Sequence, residues 1–474
     1  MTLPRLSPLA ALLLVFGLGA CDSTDPFGPP AVGGQLQAEA GRGTAVDLTL
    51  SLDSEAGVRS LTVSVDGAAA EPVAVPAGAD EVVYTFEVPA EATVGTAYVL
   101  LFTITDADGA TATATGTVTV GRLIEAPATY AFTRDGASTV SYGGQTERLD
   151  QLAAMKRYLS TGDAGAELSE QTLLDMFSNA GGNGGGAFSF TSTKQLRDKT
   201  FQPDLDDRLF EDLFAGAAAA SRSGATAANG TAGRIVRENS GSTILVDAKG
   251  REFTQLIEKG LMGAVFQNQV YNTYLTDARI GAAVENTALV DGTPYTAMEH
   301  HWDEAFGYFG APIDFASDWP SERSGELAFW SKYSNVSDAE LRLNGRIMDA
   351  YIAGRAAVVN NDRTEIDAQA AALYTLHELT AAATAVHYIN DTLGHLNDGK
   401  AGEAFHTLSE AWAFVNAVRY TPRRALSLGA IGTILTVDFG ADGNFWEVTP
   451  AGLNRAKATI VAAYPELAPV QDQL

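Results

Sequence analysis

The chain has 474 residues, 58 Asp and Glu against 31 Lys and Arg, a formal charge of −27 and one cysteine. One thiol excludes a disulfide framework, a cysteine zinc site and an iron–sulfur cluster, and this much negative charge excludes nucleic-acid partnership, which needs basic patches. Only 8 of the basic residues are Lys, and a Lys-poor, acidic surface is that of an exported protein kept soluble by its charge.

Taken in chain order, the start reads as an address. Arg5 precedes an apolar run from Leu9 to Leu18, which closes on Leu18-Gly19-Ala20-Cys21. The run is too short to span a bilayer and ends in small residues, the pattern of a cleaved signal. We therefore expect a lipoprotein signal over residues 1–20, lipidation at Cys21 and a flexible tether over 21–34. The expected location is the cell envelope, membrane-anchored and facing the periplasm or the surface.

From 35 to 121 short Val- and Thr-rich runs alternate apolar and polar residues, among them Val46–Leu52, Leu61–Val65 and Val82–Val88. Asp66-Gly67 and Asp108-Gly109 punctuate them as turns. About seven such strands predict an immunoglobulin-like β-sandwich without a disulfide. Residues 22–121 hold 14 acids, Arg42 and Arg59, and neither Lys nor His, which suits a spacer; an adhesion module for glycan or protein is the alternative.

After Arg122 the pattern becomes helical. The periodicity predicts helices over 145–159, 170–177, 205–220, 253–274, 295–308, 338–356, 366–393, 403–420 and 451–463. Residues 181–186, Gly-Gly-Asn-Gly-Gly-Gly, predict a mobile loop, and 234–247 a β-hairpin turning at Asn239 to Ser242. The expected fold class is thus multidomain: an immunoglobulin-like β-sandwich, then a larger, mainly α-helical bundle domain over 122–474 with a small hairpin insertion.

All six histidines, at 300, 301, 377, 387, 395 and 406, lie in the helical part. His301 and Glu304 stand at i and i+3, and His406 and Glu410 at i and i+4, so each pair shares a helix face. Packed helices can converge such groups on one point, and nitrogen and oxygen donors suit iron, zinc or manganese better than calcium. The candidate ligands are His301, Glu304, His387, His406 and Glu410, with Asp303 behind them orienting an imidazole. Singly, such a pair is more often a surface ion pair or a satisfied core hydrogen bond than a ligand pair. His395 reads as a helix-end cap, and Trp302, Phe306, Tyr308 and Phe309 as core. The segment His377-Glu378-Leu379-Thr380-Ala381 starts like a zincin helix but has Ala where the second His is needed. No G-x-S-x-G elbow occurs.

Several stretches carry a resemblance: Gly144–Leu149, Gln255–Ala264, Met298–Tyr308, Gly354-Arg355-Ala356-Ala357, His387–Asn390 and Leu408–Phe414. Through them the chain from about Tyr130 onward resembles domain-of-unknown-function family 4856, helical bacterial lipoproteins associated with imelysin-type proteins. The resemblance implies an exported helical bundle linked to iron uptake. The G-x-H-x-x-E motif of imelysins is matched by His301 and Glu304, with Glu299 in place of its glycine. The leading expectation is a non-enzymatic, lipid-anchored protein of an iron or other metal acquisition system, with an outer-membrane uptake receptor or an imelysin-type protein as partner. A metal-dependent peptidase or hydrolase using Glu304 or Glu410 as base is one alternative, and a surface glycan- or protein-binding lipoprotein the other.

Overall fold

The computed structural model describes residues 27–474; the expected signal and the lipidation residue Cys21 lie outside them. The chain divides into two compact units, one holding residues up to 89 together with 95–121, the other 90–94 with 122–474.

The first unit is β-rich. Eight strands run through it: β1 (Ala31–Gln35), β2 (Gln37–Gly41), β3 (Ala45–Asp53), β4 (Val58–Val65), β5 (Glu71–Val73), β6 (Glu81–Glu87), β7 (Ala97–Asp106) and β8 (Thr111–Gly121). They form a three-stranded sheet in the order β1-β3-β6 and a five-stranded one in the order β2-β8-β7-β4-β5. β1 starts inside the segment expected to be tether. Its small residues look like a linker, yet its backbone pairs antiparallel with β3 from Ala31 opposite Asp53 to Gln35 opposite Thr49. At Gly34 (φ +121°) a Cβ would lie 2.1 Å from the Thr49 carbonyl oxygen, so only glycine fits. The period-two pattern places Leu100, Phe102 and Ile104 of β7 wholly inside, whereas Val99 and Leu101 between them are exposed. Leu48 and Leu50 from one sheet, and Leu61 and Val118 from the other, are equally buried. Each such side chain stabilises the unit by roughly 1.5–3 kcal/mol.

The second unit is larger and mainly helical. It opens with two-residue strands β9 (Thr133–Arg134) and β10 (Ala137–Ser138), and carries a hairpin of β11 (Gly233–Val236) and β12 (Thr243–Val246). Its α-helices are α1 (Gly143–Asp163), α2 (Glu170–Ser178), α3 (Gln202–Asp206), α4 (Leu209–Ser223), α5 (Phe253–Leu261), α6 (Asp277–Ile280), α7 (Ala297–Phe309), α8 (Trp330–Val336), α9 (Asp338–Leu341), α10 (Leu343–Asn360), α11 (Arg363–Asn397), α12 (Ala401–Ala417), α13 (Leu428–Thr433) and α14 (Pro450–Ala463). Connections of a few residues fold α10, α11 and α12 back on one another. No helix among the described residues is long and apolar enough to cross a membrane.

Local chemistry sets these boundaries. At α7 the Thr296 hydroxyl accepts from the Glu299 amide while the Glu299 carboxylate accepts from the Thr296 amide at 2.8 Å, a reciprocal cap. Asp362 caps α11 at the Glu365 amide. Two predicted helices are broken. The one expected over 205–220 stops at Arg208 (φ 56°), and the one over 338–356 at Arg342 (φ 53°). In the second case Asp338 turns back to accept from the Asn344 amide at 2.8 Å and starts a new helix. The helix expected over 253–274 ends as α at Leu261 and continues as wider π turns, Met262–Gln267 and Val270–Tyr274. Residues 181–186 are not a free loop: they form two tight 3-10 turns, tied by Asn179, whose Nδ2 donates to the Ser192 and Lys194 carbonyls.

Candidate functional site

The expected ligands do not meet at one place. His301 lies on α7 with Nδ1 donating to the Arg279 carbonyl at 3.0 Å and Nε2 facing the Arg279 guanidinium at 3.4 Å. Burial, and then that guanidinium, hold the imidazole below its ordinary value. A cation beside its one free nitrogen does not suit a metal ligand. Glu304 accepts from Gln145 at 3.0 Å, and its closest ion-pair partner is His300 at 3.9 Å. His387 lies 3.5 Å from Asp391, one turn on, with its ring edge-on to Tyr388.

Asp303 is wholly buried and orients no imidazole. It accepts from the Tyr130 hydroxyl at 2.8 Å, the Ser141 amide at 3.0 Å and Arg355 Nε at 2.9 Å. Arg355, also wholly buried, lies 3.3 Å from Glu299, which Arg134 holds from the other side at 2.8 Å. One residue earlier, Gly354 lets α10 approach α7: a Cβ there would stand 2.0 Å from the Trp302 ring. The His301-Trp302-Asp303-Glu304 stretch and the Gly354-Arg355 pair are therefore two halves of one packing contact. Trp302, Phe306, Tyr308 and Phe309 are core, as their pattern predicts.

His406 and Glu410 are brought together, and with residues the sequence did not single out. His406 Nδ1 lies 2.7 Å from Glu252 and Nε2 lies 3.5 Å from Glu410. Glu252 is fixed just ahead of α5, where its amide donates to the Ser409 hydroxyl of α12 at 2.8 Å. Beside it, Asp163 at the end of α1 accepts from the Leu245 amide at 2.9 Å and the Thr254 hydroxyl at 2.8 Å. Behind His406, Lys259 is 2 % exposed and lies 2.6 Å from Glu258 and 3.8 Å from Glu410, while Lys156 reaches Glu258 at 2.8 Å. The hairpin closes one side: Arg237 clasps Glu403, the third residue of α12, at 2.7 Å. At Gly402 a Cβ would meet the Val236 carbonyl at 1.9 Å.

Part of this cluster lines a cavity of about 530 Å³, walled by Lys156, Asp163, Arg237, Thr243, Glu252 and His406, with Glu410 and Lys259 outside the lining. Burial, and next the Glu252 charge, push the Asp163 carboxyl up to about 7. Burial alone would lower His406; Glu252, by charge and hydrogen bond, outweighs it and holds the imidazole above its ordinary value. Burial of Glu258 is outweighed in the same way by Lys259 and Lys156, which keep it ionised. The cavity thus holds a carboxyl raised to about 7 beside an imidazole held above its ordinary value. Among the described residues no group of three His, Cys, Asp or Glu is preformed around a vacant point. The donor chemistry, one imidazole with carboxylate oxygens, nonetheless suits a divalent transition ion.

The family described as Domain of unknown function (DUF4856) matches residues 127–465 of this chain. The chain belongs to that family. Its match spans the whole helical body, from the Tyr130–Asp303 contact to α14, so the His406 cavity lies within the DUF4856 domain and the β-rich unit precedes it. A search of the curated proteins finds no match. Asp163, Glu252, Glu258 and Lys259 had one sequence signal: Lys259 stands inside an apolar helical stretch of a chain with few lysines.

Proposed function

We propose that this DUF4856 protein is a lipid-anchored component of a metal acquisition system in the cell envelope, iron being the expected ion, and that the ion is taken at the His406 cavity. The observation that carries this is His406 held between Glu252 and Glu410, with the Asp163 carboxyl at about 7 beside them. Protons compete with a cation at two groups here: His406, which Glu252 holds above its ordinary value, and Asp163, raised to about 7. A divalent ion that displaces them relieves the crowding of carboxylates, so uptake releases protons and weakens as pH falls. His301 and Glu304, the match to the imelysin motif, are left out of this ligand set by the Arg279 guanidinium. The β-rich unit is read as an immunoglobulin-like sandwich serving as spacer, anchored through Cys21, with an uptake receptor or imelysin-type protein as the partner that receives the metal.

Titration calorimetry with Fe(II) and Zn(II), on chain purified without a histidine tag and in two buffers of different ionisation enthalpy, tests this. Saturable binding with proton release is expected in the native chain and in His301→Ala/Glu304→Ala, and its loss in His406→Ala/Glu252→Gln. Equal binding in all three, or loss only in the His301 variant, refutes the assignment. A second reading, metal-assisted hydrolysis, is favoured by one feature, a carboxyl near 7 where a general acid or base works best. It requires chelator-sensitive cleavage of casein that Asp163→Asn abolishes.

A further inference from the structure

The zincin-like segment does not act as one. His377 is buried against the Tyr351 hydroxyl at 2.8 Å, while Glu378, turned away from it, lines a second cavity of about 290 Å³. That is the low end of small-ligand pockets, roughly 300–1,000 Å³. α11, the segment after Thr421 and the end of α14 form it, and its walls are mostly apolar, Leu379, Ala371, Ala425 and Ala463 among them.

Two charges stand in this apolar setting. Glu378 is 5 % exposed. Both its hydrogen bonds, from the Ala425 amide at 2.6 Å and the Tyr464 hydroxyl at 2.5 Å, fall on Oε1, which leaves Oε2 for the cavity. Arg423 stacks with its guanidinium carbon 4.5 Å from the centre of the Tyr374 ring. No ion pair of Arg423 occurs among the described residues, and the other acid of the lining, Glu466, is taken by Arg346 at 2.9 Å. Oε2, open to the cavity and without a protein donor among the described residues, is free to accept from a ligand against mostly apolar walls, and a guanidinium held flat on an aromatic ring keeps its edge for a carboxylate.

We propose that this cavity binds a small zwitterion with an apolar body, a free apolar amino acid or a short apolar peptide. The ammonium meets Glu378 Oε2 at the buried end, the carboxylate meets the exposed Arg423, and the side chain lies against Leu379 and Ala463. A ligand with only one of the two charges leaves the other protein charge unanswered. The site is separate from the His406 cavity and does not depend on a metal there.

The test is calorimetry on the full chain with L-leucine and L-leucyl-L-leucine, beside 4-methylpentanoate and isoamylamine, which lack the ammonium and the carboxylate respectively. One or both zwitterions should bind saturably, and each one-charge analogue more weakly by about tenfold or more. The better of leucine and dileucine tells amino acid from peptide. Glu378→Gln and Arg423→Gln should each weaken binding by a similar factor. Ala463→Trp, which fills the cavity and leaves both charges, should abolish it with melting temperature retained. His406→Ala/Glu252→Gln should bind as the native chain does, whatever becomes of the metal. Absence of saturable binding by either zwitterion, equal binding of the one-charge analogues, or full binding by Ala463→Trp overturns the proposal.

Discussion

Replacing Asp163 by asparagine should stabilise the protein above neutrality and leave it nearly unchanged near pH 4. The carboxyl moves from 3.8 in the unfolded chain to about 7 in the folded one because burial and Glu252 disfavour its charge. Between those two values the folded state binds more protons than the unfolded state, so stability falls as pH rises through the window and the loss is complete above about 7. At about 1.4 kcal/mol per decade the displacement is worth on the order of 4 kcal/mol. The Glu252 charge and the His406 imidazole both act on this carboxyl, so we assign about half of that to Asp163 alone. Asparagine keeps the contacts: its Oδ1 can accept from Leu245, and its Nδ2 can donate to the Thr254 hydroxyl. The expected gain is about 2 kcal/mol at pH 8, a rise in melting temperature of roughly 3 °C for a unit of this size. Thermal melts by far-UV circular dichroism from about pH 4 to pH 8, native and variant side by side, measure it. The difference between the two curves matters, because His377 works the other way: burial pushes it down to about 3, so its contribution is lost as pH falls below about 6.5. Parallel pH curves for native and variant would refute the account of the cavity.

The histidines should separate in an NMR titration. His377 stays neutral throughout about pH 5–8, His301 titrates below the ordinary value and His406 above it; a His406 midpoint below 6.5 contradicts the Glu252 contact. Asp303→Asn should destabilise the helical body by about 3–5 kcal/mol in urea unfolding, since it leaves the buried Arg355 with one of its two carboxylates. Gly354→Ala, which sets a methyl against Trp302, should cost about 1–3 kcal/mol or more by the same assay. A urea unfolding midpoint equal to that of the native chain in either variant would mean that α7 and α10 meet in some other way.

How much of this was legible in the sequence depends on the range over which each feature is encoded. The β-rich start and helical remainder follow from apolar periods of two and of three to four, which are local. The helix starts expected at 295, 366 and 451 fall within three residues of those of α7, α11 and α14 for the same reason. The breaks at Arg208 and Arg342 were not: neither residue is a glycine or a proline, and the left-handed turn at Arg342 goes with a carboxylate, Asp338, that reaches past it to cap the next helix. β1 was missed because a strand that pairs through its backbone needs no apolar signature.

The site shows the same division more sharply. His301-Trp302-Asp303-Glu304 has the look of a ligand motif because it packs unusual residues into one turn. Three of the four are accounted for by a neighbour that only the folded chain supplies: Trp302 by Gly354, Asp303 by Arg355 and Tyr130, His301 by the Arg279 carbonyl. A dense motif can be dense because close helix packing restricts every residue in it. The cavity that can exchange protons is assembled from single residues at element ends, Asp163 closing α1, Glu252 entering α5, and His406 one turn into α12. Their spacing along the chain is set by intervening helices and carries no chemistry. Of the pairs read from helical spacing, His406 with Glu410 alone became part of a cluster, because α12 turns that face toward α5, where Glu252 and Lys259 are waiting. If metal binding survives the loss of His406 and Glu252, that convergence serves only to hold α1, α5 and α12 together, and Asp163→Asn should then stabilise the protein with no effect on any ligand.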